Sequence, residues 1–413
     1  MAESYYNAAS GNWSTAANWK GGTGGDGTLP QSGDDVYANG KAITIDQDIT
    51  VASLRTTAGT TAVAGGSFTV TTGGRALTVN SQITAGTTTC LTFSAATGNT
   101  LTITGSGLTV NGSAATSSRY GINNSSTGTL NVTGNCVGGG ASSSAAINNQ
   151  TTGRVNVTGN VTGGSAASCA GIANNSTGII TVSGSVTGGI NASAQGLTVG
   201  SGTATIGSAV PSATVAAVSL SSGTLTVTGN VTGGAQNTVT VSGAGTINVG
   251  GNVTGGTAST MVGILSQGAS TITVTGNVTG GSAATAYGIN NTSTGTVRVD
   301  GTCTGGSFSS AYAVNNGLTG QVLANGPVTA GTAPAIADVA TQAGFVRVTG
   351  PITNSAGINA LFVSHLCLVA ECDWTIAKAG TPPAYNGTVT IGQKGGSGGG
   401  GRILKSSIIG AVS

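Results

Sequence analysis

A phrase of thirteen residues recurs along this chain with few changes. It reads "GTLNVTGNCVGGG" from Gly128, "GRVNVTGNVTGGS" from Gly153, "GTLTVTGNVTGGA" from Gly223 and "STITVTGNVTGGS" from Ser270. Its glycine anchor, the Gly that follows the apolar-x-Val-Thr run, falls at Gly105, Gly134, Gly159, Gly184, Gly207, Gly229, Gly251, Gly276, Gly301, Gly326 and Gly350. Two degenerate copies, "ITIDQDIT" from Ile43 and "LTVNSQIT" from Leu77, precede the series. Neighbouring anchors lie 22 to 29 residues apart. A period of that length marks a stacked repeat architecture rather than a set of ordinary domains.

The residue types within a unit choose the architecture. In residues 120–140 Leu130 and Val132 are two apart, so they share one face of a strand while Asn131 and Thr133 share the other. "TGN" supplies turn chemistry. A second short strand carries Cys136, "GGG" turns again, and "YGIN" makes a third strand with Ile122 inward. No helical periodicity extends over a useful length. Three short strands per ~24 residues predict an all-β, right-handed parallel β-helix (solenoid) of about thirteen rungs, the hand following the crossover rule. The boundaries read as an N-terminal cap over 1–40, the solenoid over 41–354, a C-terminal cap over 355–394, and a Gly-rich spacer with an apolar tail over 395–413. Leu130, Val132, Val157, Val227, Val249, Val274 and Val299 are expected in one interior column.

Composition agrees with strands built from small and β-branched residues. Charged residues make up 5% of the chain and hydrophobic ones 38%, a balance opposite to that of disordered chains. The twelve Lys and Arg residues are scattered, so no phosphate-gripping patch is expected and no nucleic-acid partner. The longest apolar run, "ALFVSHLCLVA" from Ala360, is too short to span a bilayer, and membrane insertion is not expected. The N-terminus carries no basic and apolar leader pattern. Cys136 and Cys303 stand where sister repeats have Val161, Val231 and Val278, so they read as buried apolar fillers. All six cysteines are expected to be unpaired thiols, as in a reducing cytosol.

Asparagines recur at fixed offsets. Asn135, Asn160, Asn230, Asn252 and Asn277 form one expected ladder, and Asn124, Asn149, Asn175, Asn291 and Asn316 a second. Both read as structural. Calcium-binding repeats need carboxylates at fixed offsets, and these repeats have none.

Chemistry is sparse. No Asp or Glu occurs between Asp48 and Asp300, whereas glycoside hydrolysis ordinarily needs two carboxylates flanking a bond. The acids outside that gap, Asp34/Asp35, Asp46/Asp48 and Glu371/Asp373, read as cap or solvated charges. His365 lies in an apolar run and reads as structural. Arg298 and Arg347 share a repeat position, with solvation the simpler reading than an anion contact. No catalytic residue, metal site or cofactor is expected, and the chain reads as a non-enzyme.

The ends differ from the middle. Trp13-x5-Trp19 followed by Pro30-x3-Asp34-Asp35-Val36 resembles the start of β-helical segments in phage virion proteins and autotransporter-type adhesins. The likeness covers about 45 residues. Read from its residues alone, the segment is a cap with Trp13, Trp19, Pro30, Asp34 and Asp35 over the first rung. At the other end Arg402, Ile403, Leu404, Lys405, Ile408 and Ile409 follow a flexible glycine spacer, a layout suited to docking or oligomerisation. The resemblance implies a non-enzymatic bacteriophage virion protein, a capsid decoration or head fibre assembled in the host cytoplasm. Its implied partners are sister subunits (a trimer by analogy), phage capsid or tail proteins, and host-surface glycan. The alternatives are a tail fibre or tailspike binding host glycans, or a bacterial surface adhesin. Capsid or tail genes beside this one would separate these readings.

Overall fold

The computed structural model describes residues 1–329 apart from 72, 96, 97, 192, 211–215, 309 and 318. Beyond them it describes 336–338, 345–349, 352–353, 361–363, 365–369 and 388–392, mostly as backbone alone. The protein is all-β, and its parallel strands stack into a β-solenoid of about 11 turns. That is slightly fewer than the thirteen expected. The earliest repeats lie in longer, less regular strands, Ile49–Arg55 and Arg75–Thr84, whose pairing shifts register between Val51 and Ser53. By contacts the chain divides into two compact units, residues 1–207 with 212–219, and residues 208–211 with 220–413.

One coil of the first unit shows why the sequence folds this way. Ile122–Asn124, Thr129–Thr133 and Asn135–Val137 are its three strands. Each pairs in parallel with its counterpart 25 residues on, so Ile122 meets Ile147, Leu130 meets Val155, Val132 meets Val157 and Cys136 meets Val161. All eight side chains are buried. The alternation puts Ile122, Leu130, Val132 and Cys136 inside and Asn123, Thr129, Asn131 and Thr133 outward, as strand geometry requires, with Asn124 a polar residue at an inward position. Each coil buries its apolar residues in large part against the coils it pairs with, so stability is shared between neighbours.

The expected interior column resolves into two. Leu101, Leu130, Val155 and Ile180 form one, and Ile103, Val132, Val157 and Val182 the next. Leu130 therefore does not stack with Val132, because residues two apart on one strand face the same side in adjacent columns. In the second unit Val227, Val249, Val274, Val299 and Ala324 form one column, and Leu225, Ile247, Ile272, Val297 and Val322 its neighbour.

The anchor glycines answer to close packing. A Cβ on Gly276 would lie 2.3 Å from the carbonyl oxygen of Gly251, and one on Gly301 2.3 Å from that of Gly276. Backbones of successive coils approach so closely here that any side chain would force them apart. The repeated glycine is thus explained by coil spacing, and turn conformation is secondary.

At the N-terminus Glu3–Tyr6 runs antiparallel to Trp19–Gly21 and parallel to Asp35–Tyr37, which pairs in turn with the end of Ile49–Arg55. Tyr6, Trp13 and Trp19 are buried. Their rings pack edge-on or tilted, with centroids 5.0 Å apart for Tyr6–Trp19 and 4.7 Å for Trp13–Trp19, and Trp13 reaches Phe68 at 6.0 Å. The Trp19 Nε1–H donates to the Trp13 carbonyl at 2.9 Å, satisfying the buried indole.

Candidate functional site

Two kinds of asparagine ladder run through the coils, and they differ from each other. Asn124, Asn149 and Asn174 are buried at the ends of the stacked strands Ile122–Asn124, Ile147–Asn149 and Ile172–Asn174. Asn124 Nδ2 donates to Asn149 Oδ1 at 2.8 Å, and Asn149 Nδ2 to Asn174 Oδ1 at 2.9 Å. Asn174 thus holds the place expected for Asn175, because Ile147 pairs with Ile172 and fixes the register. Asn175 instead donates to Asn148 Oδ1 at 2.9 Å. In the second unit Asn291 and Asn316 repeat the inner contact at 2.8 Å. The outer ladder bonds to backbone: Asn135 Oδ1 accepts from Asn160 N at 3.0 Å, Asn230 Oδ1 from Asn252 N and Asn252 Oδ1 from Asn277 N at 2.8 Å each.

Every carboxylate whose side chain is described is occupied in holding chain to chain. Asp34, buried at 1% exposure, accepts from Thr23 N at 2.9 Å, Thr23 Oγ1 at 2.6 Å and Gln31 N at 2.9 Å. Asp35 accepts from Ser53 Oγ at 2.5 Å and Arg55 Nη2 at 3.2 Å. Asp46 takes Ser14 N at 3.0 Å and Ser14 Oγ at 2.6 Å, and Asp48 takes Ala76 N at 3.0 Å. Glu3 gathers the amides of Thr60, Thr61 and Ala62 at 2.8, 3.2 and 2.8 Å. Burial raises the Glu3 pKa, yet these three donors outweigh it and hold the group below its ordinary value. Asp300 accepts from Arg298 Nε at 2.8 Å and Asn325 Nδ2 at 2.6 Å, and Arg298 foremost lowers its pKa.

The remaining sequence candidates are placed as follows. Pro30 is half-buried beside the Gln31–Asp34 turn. Arg298 and Arg347 occupy one outward column two coils apart, through Leu323, and Arg347 is exposed. Cys90, Cys136, Cys169 and Cys303 are free and buried, and burial pushes the Cys136 and Cys303 thiols up to about 12. Cys367 and His365 lie in the strand His365–Val369, described as backbone. Cys372, Glu371, Asp373 and the tail residues Arg402, Ile403, Leu404, Lys405, Ile408 and Ile409 lie outside the described residues. Among the described residues no three His, Cys, Asp or Glu side chains gather as a metal-binding group, and no helix is long and apolar enough to cross a membrane.

A concave feature missed by sequence reasoning lies in the first unit. It is an open groove of about 350 Å³ lined by Thr57, Gln82, Thr84 and Asn111, with alanines and glycines from Ala85 to Gly140. No lining residue is charged. Gln82 and Thr84 end the strand Arg75–Thr84 and pair with Thr109 and Asn111 on the next coil. Thr84 Oγ1 donates to Gln82 Oε1 at 2.8 Å and accepts from Asn111 Nδ2 at 3.4 Å. The only sequence signal was a clustering of Gly and Ala at successive corners, which looks the same at corners without a groove.

No protein-family model, no curated protein and no solved structure matches this chain.

Proposed function

We propose that this chain is a non-enzymatic bacteriophage virion protein. In this reading it is a capsid decoration or head fibre, displayed on the particle as a homo-oligomer and contacting host-surface glycan. One observation carries the reading. The coils between residues 49 and 299 contain no carboxylate, and every described carboxylate elsewhere is hydrogen-bonded in holding loops and strands together. A solenoid so furnished supplies stiffness and a repetitive polar surface, and it offers no acid–base pair for bond cleavage. The resemblance of the Trp13–Val36 segment to phage virion β-helices supports the placement on a particle.

Docking is assigned to the segment 395–413, whose apolar residues follow a glycine spacer. The experiment compares full-length chain with a chain ending at residue 394. Both are mixed with purified phage particles lacking the protein, and co-sedimentation is measured. Full-length chain is expected to sediment with the particles and the shortened chain to remain in solution with an unchanged melting temperature. Equal binding by both would remove docking from the tail, and binding by neither would contradict the virion reading.

A further inference from the structure

We propose that the uncharged groove of the first unit is a binding site for a short neutral saccharide. The inference rests on the reading of the chain as a displayed protein that contacts glycan, and it deepens that reading by naming a site.

Four features of the groove point to this ligand class. First, its twelve lining residues include no Asp, Glu, Lys, Arg or His, and Arg55, which pairs in register with Thr84 beside the groove, is engaged by Asp35. Second, the row Gln82–Thr84–Asn111 has open hydrogen-bonding capacity. Thr84 spends its proton on Gln82 Oε1 and receives Asn111 Nδ2. Gln82 Nε2 and Asn111 Oδ1 are left without a partner among the described residues, one a donor and the other an acceptor. A sugar hydroxyl both donates and accepts, so adjacent hydroxyls on one ring match such a row.

Third, the row is preorganised. Strand pairing to Thr109 and Asn111 fixes the backbone of Gln82 and Thr84, and the hydrogen bonds among Gln82, Thr84 and Asn111 restrain the side chains, so less freedom is lost on binding. Fourth, the floor stays open for a structural reason. A Cβ on Gly86, Gly112, Gly138 or Gly139 would meet backbone at 2.4, 2.7, 2.5 and 2.2 Å respectively, which bars larger residues from these positions. The exposed Ala114 and Ala115 add a small apolar surface for the C–H face of a ring. A volume of about 350 Å³ sits at the lower end of the range for small-molecule sites, enough for a short saccharide.

The test uses the full chain and saturation-transfer NMR with maltose, lactose, mannobiose and diacetylchitobiose. Sialyllactose and a glucuronate disaccharide serve as charged counterparts. Two variants probe the groove: Ala115→Trp, which fills it from an exposed rim position, and Asn111→Ala, which removes the free acceptor. At least one neutral disaccharide is expected to receive saturation and the charged ones none. Ala115→Trp should abolish the transfer, and Asn111→Ala should weaken binding about three- to tenfold, the effect of one neutral hydrogen bond. Melting temperatures of both variants should match the parent. Transfer only to charged sugars, or to none, overturns the proposal. Undiminished binding in Ala115→Trp also overturns it while leaving glycan contact elsewhere on the chain intact. Particle co-sedimentation is a separate readout, so failure of the groove and failure of the virion reading are distinguishable.

Discussion

Asn149 and Asn160 look alike in the sequence, yet their surroundings set different energies. Asn149 is buried with both ends of its amide engaged, and replacing it by Ala strands Asn124 Nδ2 and Asn174 Oδ1 inside the coil stack. Each stranded group costs about 1–3 kcal/mol, so Asn149→Ala should destabilise by about 2–6 kcal/mol in urea unfolding. Asn160 is exposed and its Oδ1 accepts from Ser185 N, a donor that water can also satisfy. Asn160→Ala should cost only about 0.5–1.5 kcal/mol. Equal losses would mean that the inner ladder does not bear on stability as its burial implies. Glu3 gives the second residue-scale prediction. Its folded pKa is lowered, so its contribution is present above the unfolded value of 4.5 and disappears as pH falls through the folded value. Glu3→Gln should therefore lower the melting temperature at neutral pH, and the gap from the parent should close in acid. A gap that persists unchanged at low pH would show that the carboxylate charge is not what holds Thr60–Ala62.

At the scale of the coil, stacking is repetitive and nearest-neighbour in character. Residues 154–178 make one full period, and Ile179 already pairs above Arg154. Deleting 154–178 joins Gly153 to Ile179 and preserves every inward position, so the shortened chain should stay soluble and unfold cooperatively. Deleting 154–165 instead leaves an incomplete coil and misplaces the strands that follow, so it should abolish folding. Circular dichroism and thermal melts of the two deletions check this. Much of the coil was legible in the sequence. Leu130 and Val132 two apart gave an inward face, and the shared slot of Cys136 and Val161 gave a stacking position that the structure retains. The register of Asn174 was not legible, because "NN" offers two candidates and only the pairing of Ile147 with Ile172 chooses between them. The need for glycine at Gly276 was legible as a recurrence, while its cause, a carbonyl 2.3 Å from where a Cβ would stand, appears only once coils are stacked. The groove was illegible for a similar reason. Thr57, Gln82, Asn111 and Gly138 are far apart in sequence and meet only through the coil period.

At the scale of the whole molecule, a repetitive β-solenoid is proposed to serve in display. The stack follows from spacing and strand pairing, whereas the proposed placement on a particle rests separately on coils without acids and on the N-terminal resemblance. A chain with this role should be a stoichiometric, surface-accessible component of mature particles. The direct measurement is immunogold electron microscopy, with quantitative mass spectrometry, of gradient-purified phage particles released from bacteria that make the chain, using antibody raised against residues 1–329. Gold is expected over the capsid surface, with the chain present in many copies per particle. Particles free of the chain, with the protein found only on the bacterial envelope, would contradict the proposed placement.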